Sequence, residues 1–232
     1  MQEINLELAK GELKAIVGLN GSGKTTLLRL IVGLLRPDSG SIRVLGRELK
    51  PSNLWRIRQD IGLLFQNPDD QLFAPTVWED VAFGPKNQGL SHQDVVQRVE
   101  RTLEMVGMAD YKNRSINELS HGQAKRIALA GILALNPKIL LLDEPFSGLD
   151  YQMVMRLVEI IRNLRRQDIS VMYTTHNRFY YENWAESLMV LHEGRVIFDG
   201  RPDVALASQD VVDKIGDWEY LRNVLRNDSK QH

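Results

Sequence analysis

Between an apolar run, Leu13 to Val17, and a helix-forming run that begins at Lys24, the chain carries Gly18-Leu19-Asn20-Gly21-Ser22-Gly23-Lys24-Thr25. This is a glycine, four residues, then Gly-Lys-Thr, and no other stretch constrains the chain as strongly. The glycines permit positive φ and let backbone N–H groups turn inward toward one anion. The helix that follows adds the positive end of its dipole. The loop lies between a buried strand and a helix, as phosphate binding requires. In this pattern the loop from Gly18 to Gly23, with Asn20, Gly21 and Ser22, cradles the phosphates. Lys24 reaches the β and γ phosphates, and Thr25, followed by Thr26, places its hydroxyl on Mg²⁺.

A second segment supplies acids. Ile139 to Leu142 is an apolar run that ends in Asp143-Glu144. As a buried strand it delivers two carboxylates at its C-terminal end, where open α/β sheets hold ligands. Asp143 is the candidate Mg²⁺ holder and Glu144 the candidate general base that orients water. A strand ending in two acids is common at a surface; its pairing with the glycine loop gives it meaning.

The remaining pattern alternates strands and helices. Ile4, Leu6 and Leu8 alternate with polar residues and predict a strand, and 13–17 a second. A helix is expected from Lys24 to about Leu35, stopping before Pro37, and further strands at 41–45 and 61–65. Residues 67–135 read as helical. Thr76 with Glu79 forms a capping box, Ser91 caps a helix that ends near Gly107, and Ser120 caps a third that stops at Asn136-Pro137. Strand and helix then resume: strand 139–143, helix 151–166, and strands 170–174, 187–192 and 195–198. The expected architecture is an α/β domain with a mainly parallel sheet, a small antiparallel part and an inserted α-helical subdomain. The core takes about 1–66 and 136–232, the insertion about 67–135.

Composition narrows the function classes. With 232 residues and 43% hydrophobic content, one domain with a sizeable core is expected. A formal net charge of -1 argues against a dedicated nucleic-acid binder. The absence of cysteine rules out a disulfide scaffold and fits a reducing cytosol. No apolar run approaches the ~18 residues that span a bilayer, and the N-terminus does not read as a signal peptide. Any membrane role therefore needs another chain. His92, His121, His192 and His232 show no metal-ligand spacing.

The ordered set of the glycine loop, Gln66, Leu119-Ser120-His121-Gly122-Gln123, the 139–144 strand, Ser147-Gly-Leu-Asp150 and His176 resembles the ATP-binding cassette (ABC) ATPases, and the resemblance covers nearly the whole chain. It implies a P-loop NTPase fold that hydrolyses Mg-ATP. It also implies that Ser120, Gly122 and Gln123 close over the nucleotide of a second copy in a head-to-tail dimer. By the same resemblance Gln66 contacts Mg²⁺ or the attacking water, His176 contacts the γ-phosphate, and Asp150 communicates across the dimer. Taken alone, Gln66 and His176 read as surface polar residues and Ser120 as a helix cap.

The stretch from Phe65 to Pro85 is similar to the ATPases of energy-coupling-factor importers, most of all the cobalt and nickel branch. That implies a transmembrane coupling protein and a substrate-binding membrane protein as partners, a paralogue or identical second ATPase, and a cytoplasmic position on the inner membrane face. Cobalt, nickel or a vitamin would be the cargo, and no nucleic acid is bound. Leu72, Phe73 and Trp78 behind Gln66 form a candidate docking groove, with subdomain core as the other reading. The alternative class is a non-transport cassette ATPase acting on DNA or ribosomes; the chain lacks the heptads of the first and the second cassette of the other.

Two departures from the family pattern stand out. Relatives open with an extra strand and an aromatic that stacks on adenine. Here only 17 residues precede Gly18, and the first aromatic is Trp55. The expectation is weak ATP affinity with little preference over GTP, unless Trp55 substitutes, and a sheet edge at Ile4, Leu6 and Leu8. The short tail after Gly200 predicts reduced C-terminal support for a dimer.

Overall fold

The computed structural model describes residues 1–216. The end of the tail on which reduced dimer support was expected lies outside them. In chain order the elements are β1 (Leu13–Val17), α1 (Lys24–Ile31), a hairpin of β2 (Arg43–Val44) and β3 (Arg47–Glu48), α2 (Leu54–Asp60) and β4 (Ile61–Leu64). There follow α3 (Val77–Asn87), α4 (His92–Met105), α5 (His121–Ala134), β5 (Ile139–Leu142), α6 (Tyr151–Arg165), β6 (Ser170–Thr175) and α7 (Arg178–Trp184). The described chain closes with β7 (Ser187–His192), β8 (Arg195–Gly200), α8 (Pro202–Ala207) and α9 (Gln209–Ile215).

One sheet runs in the order β4-β5-β6-β1-β7-β8. It is parallel from β4 to β7, and β8 returns antiparallel. Side-chain alternation divides each central strand between two cores. Leu13, Ala15 and Val17 of β1, Leu140 and Leu142 of β5, and Val171 and Tyr173 of β6 face one apolar cluster. Ile16, Leu141 and Met172 face the other, which α1 and α2 cover with Leu27, Leu28 and Ile57. Burial on both faces explains why these strands read as continuous apolar runs. The helices α3, α4 and α5 add Val81, Val99 and Ile127 to the first cluster, so their apolar sides share a core with the sheet.

Register decides where the loops emerge. Val17 lies level with Thr175, Leu142 with Tyr173, and Leu64 with Leu142. The segments starting at Gly18, Phe65, Asp143 and His176 therefore all leave the same carboxyl edge of the sheet.

Three local expectations are corrected. Ile4, Leu6 and Leu8 form no strand. Each is half-buried and packs on the cluster around Ile16 and Leu27. Alternation reports a one-sided apolar face, which packing satisfies without a ladder. The exposed sheet edge expected there is absent, and β8 is the edge strand at that end. The helix expected to reach Leu35 ends at Ile31. Gly33 sits at φ 68, its N–H donates to Leu30 at 3.0 Å, and the Leu34 N–H donates to Arg29 at 2.9 Å, a Schellman stop. The strand expected at 41–45 shrinks to Arg43–Val44.

Helix α6 is held by Ile161, which is fully buried. Ile161→Ala is expected to lower unfolding free energy by about 2–5 kcal/mol. A urea titration would show this as a lower midpoint with unchanged slope. A negligible shift would mean that α6 does not pack on the sheet as described.

Candidate active site

The glycine loop closes on itself. A Cβ at Gly18 would lie 2.2 Å from the Leu191 carbonyl oxygen and 2.6 Å from Ser22 Oγ, so only glycine fits. Gly21 and Gly23 take φ of 80 and 106, which other residues resist. The Gly194 N–H donates to the Ser22 carbonyl at 3.1 Å and ties the loop to the β7–β8 turn. Lys24 curls back over the loop, its Nζ donating to the carbonyls of Gly18 at 2.8 Å and Leu19 at 3.2 Å. Burial lowers the Lys24 pKa, opposed by the carboxylates of Glu144 and Asp143. The Ser22 hydroxyl is buried and has no hydrogen-bond partner among the described residues. A buried polar atom without a partner is costly, and a phosphate oxygen at the loop would satisfy it. Asn20, Gly21 and Thr26 are exposed around the loop, the last at the second position of α1 after Lys24.

Gly18→Ala is expected to weaken nucleotide binding at least tenfold or so, since displacing the loop forfeits charge-assisted hydrogen bonds of about 1.5–3 kcal/mol each. Titration with a fluorescent ATP analogue checks this. Unchanged affinity would show that the loop is not the binding element.

The acids meet the loop from β5. Thr25 Oγ1 donates to Asp143 Oδ2 at 2.7 Å, joining residues 118 apart in sequence. Thr174 Oγ1 donates to Asp143 Oδ1 at 2.6 Å, so both carboxylate oxygens are fixed. Asp143 is 2% exposed. A hydroxyl and a carboxylate held together beside a phosphate loop are a hard-oxygen set that suits Mg²⁺.

Glu144 is gripped on three sides. Its N–H donates to Thr174 Oγ1 at 2.8 Å, its carbonyl accepts from Lys125 Nζ at 2.7 Å, and its Oε1 lies 2.9 Å from His176 Nδ1. Its φ is 46, a left-handed conformation that costs a non-glycine residue about 1–3 kcal/mol. The carboxylate is almost buried while the His176 ring is 59% exposed, so the pair opens toward solvent on the histidine side.

Two of these partners escaped the sequence reading. Thr174 appeared only as a strand end. Lys125 interrupts the otherwise apolar inner side of α5 and is 2% exposed; a charge at a core position was its one available signal. Its Nζ also donates to the Ser147 carbonyl at 2.9 Å. Burial pushes the Lys125 pKa down to about 8, against the opposing pull of Glu144 and Asp143.

Just beyond Glu144, Phe146 is clamped by aromatic rings. It stacks on Tyr180 with centroids 3.8 Å apart and meets Trp184 at 5.3 Å and Tyr173 at 5.9 Å edge-on. Tyr173 donates its hydroxyl to the Tyr180 carbonyl at 2.9 Å, and burial pushes its phenol pKa far up. The helix α7, which supplies Tyr180 and Trp184, was not anticipated; its signal was Asn177, whose side chain caps it by accepting from the Phe179 N–H.

The other candidates lie around this centre. Gln66 is exposed and follows β4 by two residues, and the Asp143 N–H donates to Leu64 at 2.9 Å, which brings the two strand ends side by side. Ser120 and Gln123 cap α5 reciprocally, with Ser120 N–H to Gln123 Oε1 at 2.9 Å and Gln123 N–H to Ser120 Oγ at 3.4 Å. Gly122 and His121 lie against Gly148, and Asp150 caps α6 by accepting from Met153 N–H at 2.8 Å. Among the described residues no hydrogen bond joins the Ser120 group to the loop from Gly18 to Thr26. Trp55, the candidate substitute platform, is exposed on α2 with the Arg56 guanidinium 5.0 Å from its ring centre.

Known proteins similar to this chain point to one family. A family model described as "ABC transporter" matches residues 1–147. The energy-coupling factor transporter ATP-binding protein EcfA of Methanothermobacter thermautotrophicus is 45% identical over 204 residues, covering 87% of this chain. The chain spans 66% of that relative's length. EcfA of Methanococcus maripaludis is 43% identical over 211 residues, covering 90% of this chain and 76% of that protein. Among solved structures, cbiO1 of Clostridium perfringens, part of the ABC transporter complex cbiONQ, superimposes with a TM-score of 0.79 at 34% identity, covering 97% of this chain and 90% of that one. MJ0796, a bacterial ABC transporter cassette solved as a dimer, gives 0.78 at 29% identity, covering 86% and 89%.

Proposed function

The chain belongs to the ABC transporter family, and from that membership we propose that it is the ATP-hydrolysing subunit of an energy-coupling-factor-type importer. The observation that carries the reading is the junction of the phosphate loop with the acid strand, where Thr25 meets Asp143 and Glu144 meets His176. The loop from Gly18 to Gly23, with Lys24, Thr25 and Thr26, holds the triphosphate. Thr25, Asp143 and Gln66 would hold Mg²⁺, directly or through water. Held there, Mg²⁺ would supply positive charge that offsets the negative charge of the transferring phosphoryl group. Glu144 orients the attacking water and accepts its proton, and His176 reaches toward the γ-phosphate. Ser120, Gly122 and Gln123 bind the nucleotide of a second copy or paralogue, with Asp150 reporting between the two sites.

Residues 67–135 then form the subdomain that carries the signature and meets the membrane partners. There Phe73 is 64% exposed and touches the exposed Phe83 edge-on at 4.7 Å, whereas Leu72 and Trp78 pack on the core. The exposed aromatic pair supports Phe73 as the docking contact and moves Leu72 and Trp78 toward a structural role. Among the described residues no helix is long and apolar enough to cross a membrane, so the reading assigns peripheral attachment through a transmembrane coupling protein. The names of the relatives support an energy-coupling-factor transporter; import, with cobalt, nickel or a vitamin as cargo, is part of the proposal.

Chelation of Mg²⁺ is expected to reduce phosphate release to near background, with full recovery on adding Mg²⁺ back. Unchanged hydrolysis in chelator would overturn the metal assignment. Purification from membranes, followed by identification of co-purifying chains, tests the importer. Recovery without any multi-span membrane protein would count against it.

A further inference from the structure

The geometry points to Lys125 as a positioning residue that holds Glu144 in its working conformation and ties it to α5. This rests on the reading of Glu144 as the base. The residue reaches neither the loop nor the Asp143 carboxylate by any hydrogen bond among the described residues; its bonds go to two main-chain carbonyls, Glu144 at 2.7 Å and Ser147 at 2.9 Å.

Glu144 does not rest where it is by preference. Its φ of 46 is left-handed, and Pro145 follows it, which further restricts the backbone of the preceding residue. Outside forces therefore keep it there. Thr174, from β6, anchors the Glu144 N–H at 2.8 Å, and Lys125, from α5, anchors its carbonyl. Without the ammonium, the 144–145 peptide loses its hold on one side and its carbonyl is left buried without a donor. The carboxylate direction follows the main chain, so His176 and the attacking water would meet it displaced. The second bond secures the start of the segment that ends at Asp150. Lys125 also lies little more than one turn after Ser120, and less than one turn after Gly122, on α5. It makes the signature helix, the base and the Ser147–Asp150 loop of one chain a single linked unit.

A lysine suits this place for a physical reason. A long side chain with several N–H donors spans two carbonyls from a core position, where a leucine or methionine would fill the volume but satisfy neither. The buried charge is the cost of that reach.

The test uses the full chain with Lys125→Met, Lys125→Gln, Glu144→Gln and the Glu144→Gln/Lys125→Met pair. Steady-state phosphate release gives kcat, and direct titration gives ATP affinity. Lys125→Met is expected to lower kcat roughly ten- to a hundredfold, since a displacement of about 1 Å in a catalytic group has that effect, with ATP affinity within about twofold. Glutamine is one bond shorter than lysine but keeps N–H donors, so it reaches one carbonyl. Its kcat should fall between wild type and the methionine variant, roughly three- to tenfold down. It carries the test alone if the methionine variant aggregates. On the Glu144→Gln background, Lys125→Met should change residual hydrolysis by no more than about twofold, because the group it acts through is gone. Wild-type kcat in Lys125→Met, or in Lys125→Gln, would overturn the proposal. So would equal losses of kcat and ATP affinity, or an undiminished effect on the Glu144→Gln background. Near-normal turnover in Glu144→Gln alone would instead overturn the assignment of the base.

Discussion

Glu144→Gln is expected to cut ATP hydrolysis by about a hundredfold or more while leaving ATP binding intact. The substitution keeps side-chain length and can still hydrogen-bond to His176, now 2.9 Å from the carboxylate. It leaves the Thr25–Asp143 contact and the Lys24 bonds to the loop untouched. What disappears is a proton acceptor in an almost buried position, and a positioned base contributes about 10²–10⁴ to rate. On the proposed reading, binding survives because the loop and Lys24 provide it, and hydrolysis is what would release a nucleotide-bridged dimer. The variant should therefore stay dimeric in Mg-ATP where wild type does not, as size-exclusion chromatography would show. Turnover close to wild type would remove Glu144 from the mechanism.

A mixture of Lys24→Ala and Ser120→Arg chains gives the second large effect. Lys24 belongs to the loop and Ser120 to the first turn of α5, and no hydrogen bond joins the two groups among the described residues. If each nucleotide sits between the loop of one copy and the signature of another, a mixed dimer has one intact composite site and one doubly defective site. Neither variant alone offers any intact site. The mixture should therefore trap nucleotide at one site per mixed dimer, where each variant alone traps none. Replacing the Ser120 cap also costs α5 about 1 kcal/mol, small beside the loss of a site. Filter binding with labelled ATP and a blocked hydrolysis step reads the stoichiometry. Two equally filled sites, or none, would sink the head-to-tail arrangement.

Local chemistry made some of this readable in advance. The glycine loop announces itself because Gly18 tolerates no Cβ and because Lys24 and Thr25 must follow it directly. The caps at Thr76, Ser91 and Ser120 were visible because a capping residue and its target lie within three positions. The same logic could have ended α1 at Gly33, since its Schellman bonds are also local. The alternation at Ile4, Leu6 and Leu8 misled because it encodes a buried face and says nothing of whether that face pairs in a sheet or packs on helices. Helix α7 is seven residues long, too short for its periodicity to stand out.

The sequence by itself determined the strand–loop–helix unit, the acid pair at the end of β5, the helical character of the 67–135 region and the identity of the residues proposed to meet phosphate, because each depends on residues close together in the chain. Only the tertiary structure decided the partners of those groups. Parallel register brought Asp143 within 2.7 Å of Thr25, 118 residues away, and Glu144 within 2.9 Å of His176. The packing of α5 placed Lys125 on the Glu144 carbonyl, and the neighbouring strand placed Thr174 on its N–H. Such contacts leave no periodic trace, since a hydrogen bond between distant elements depends on how whole strands and helices are set against one another and on which few side chains then come within about 3 Å.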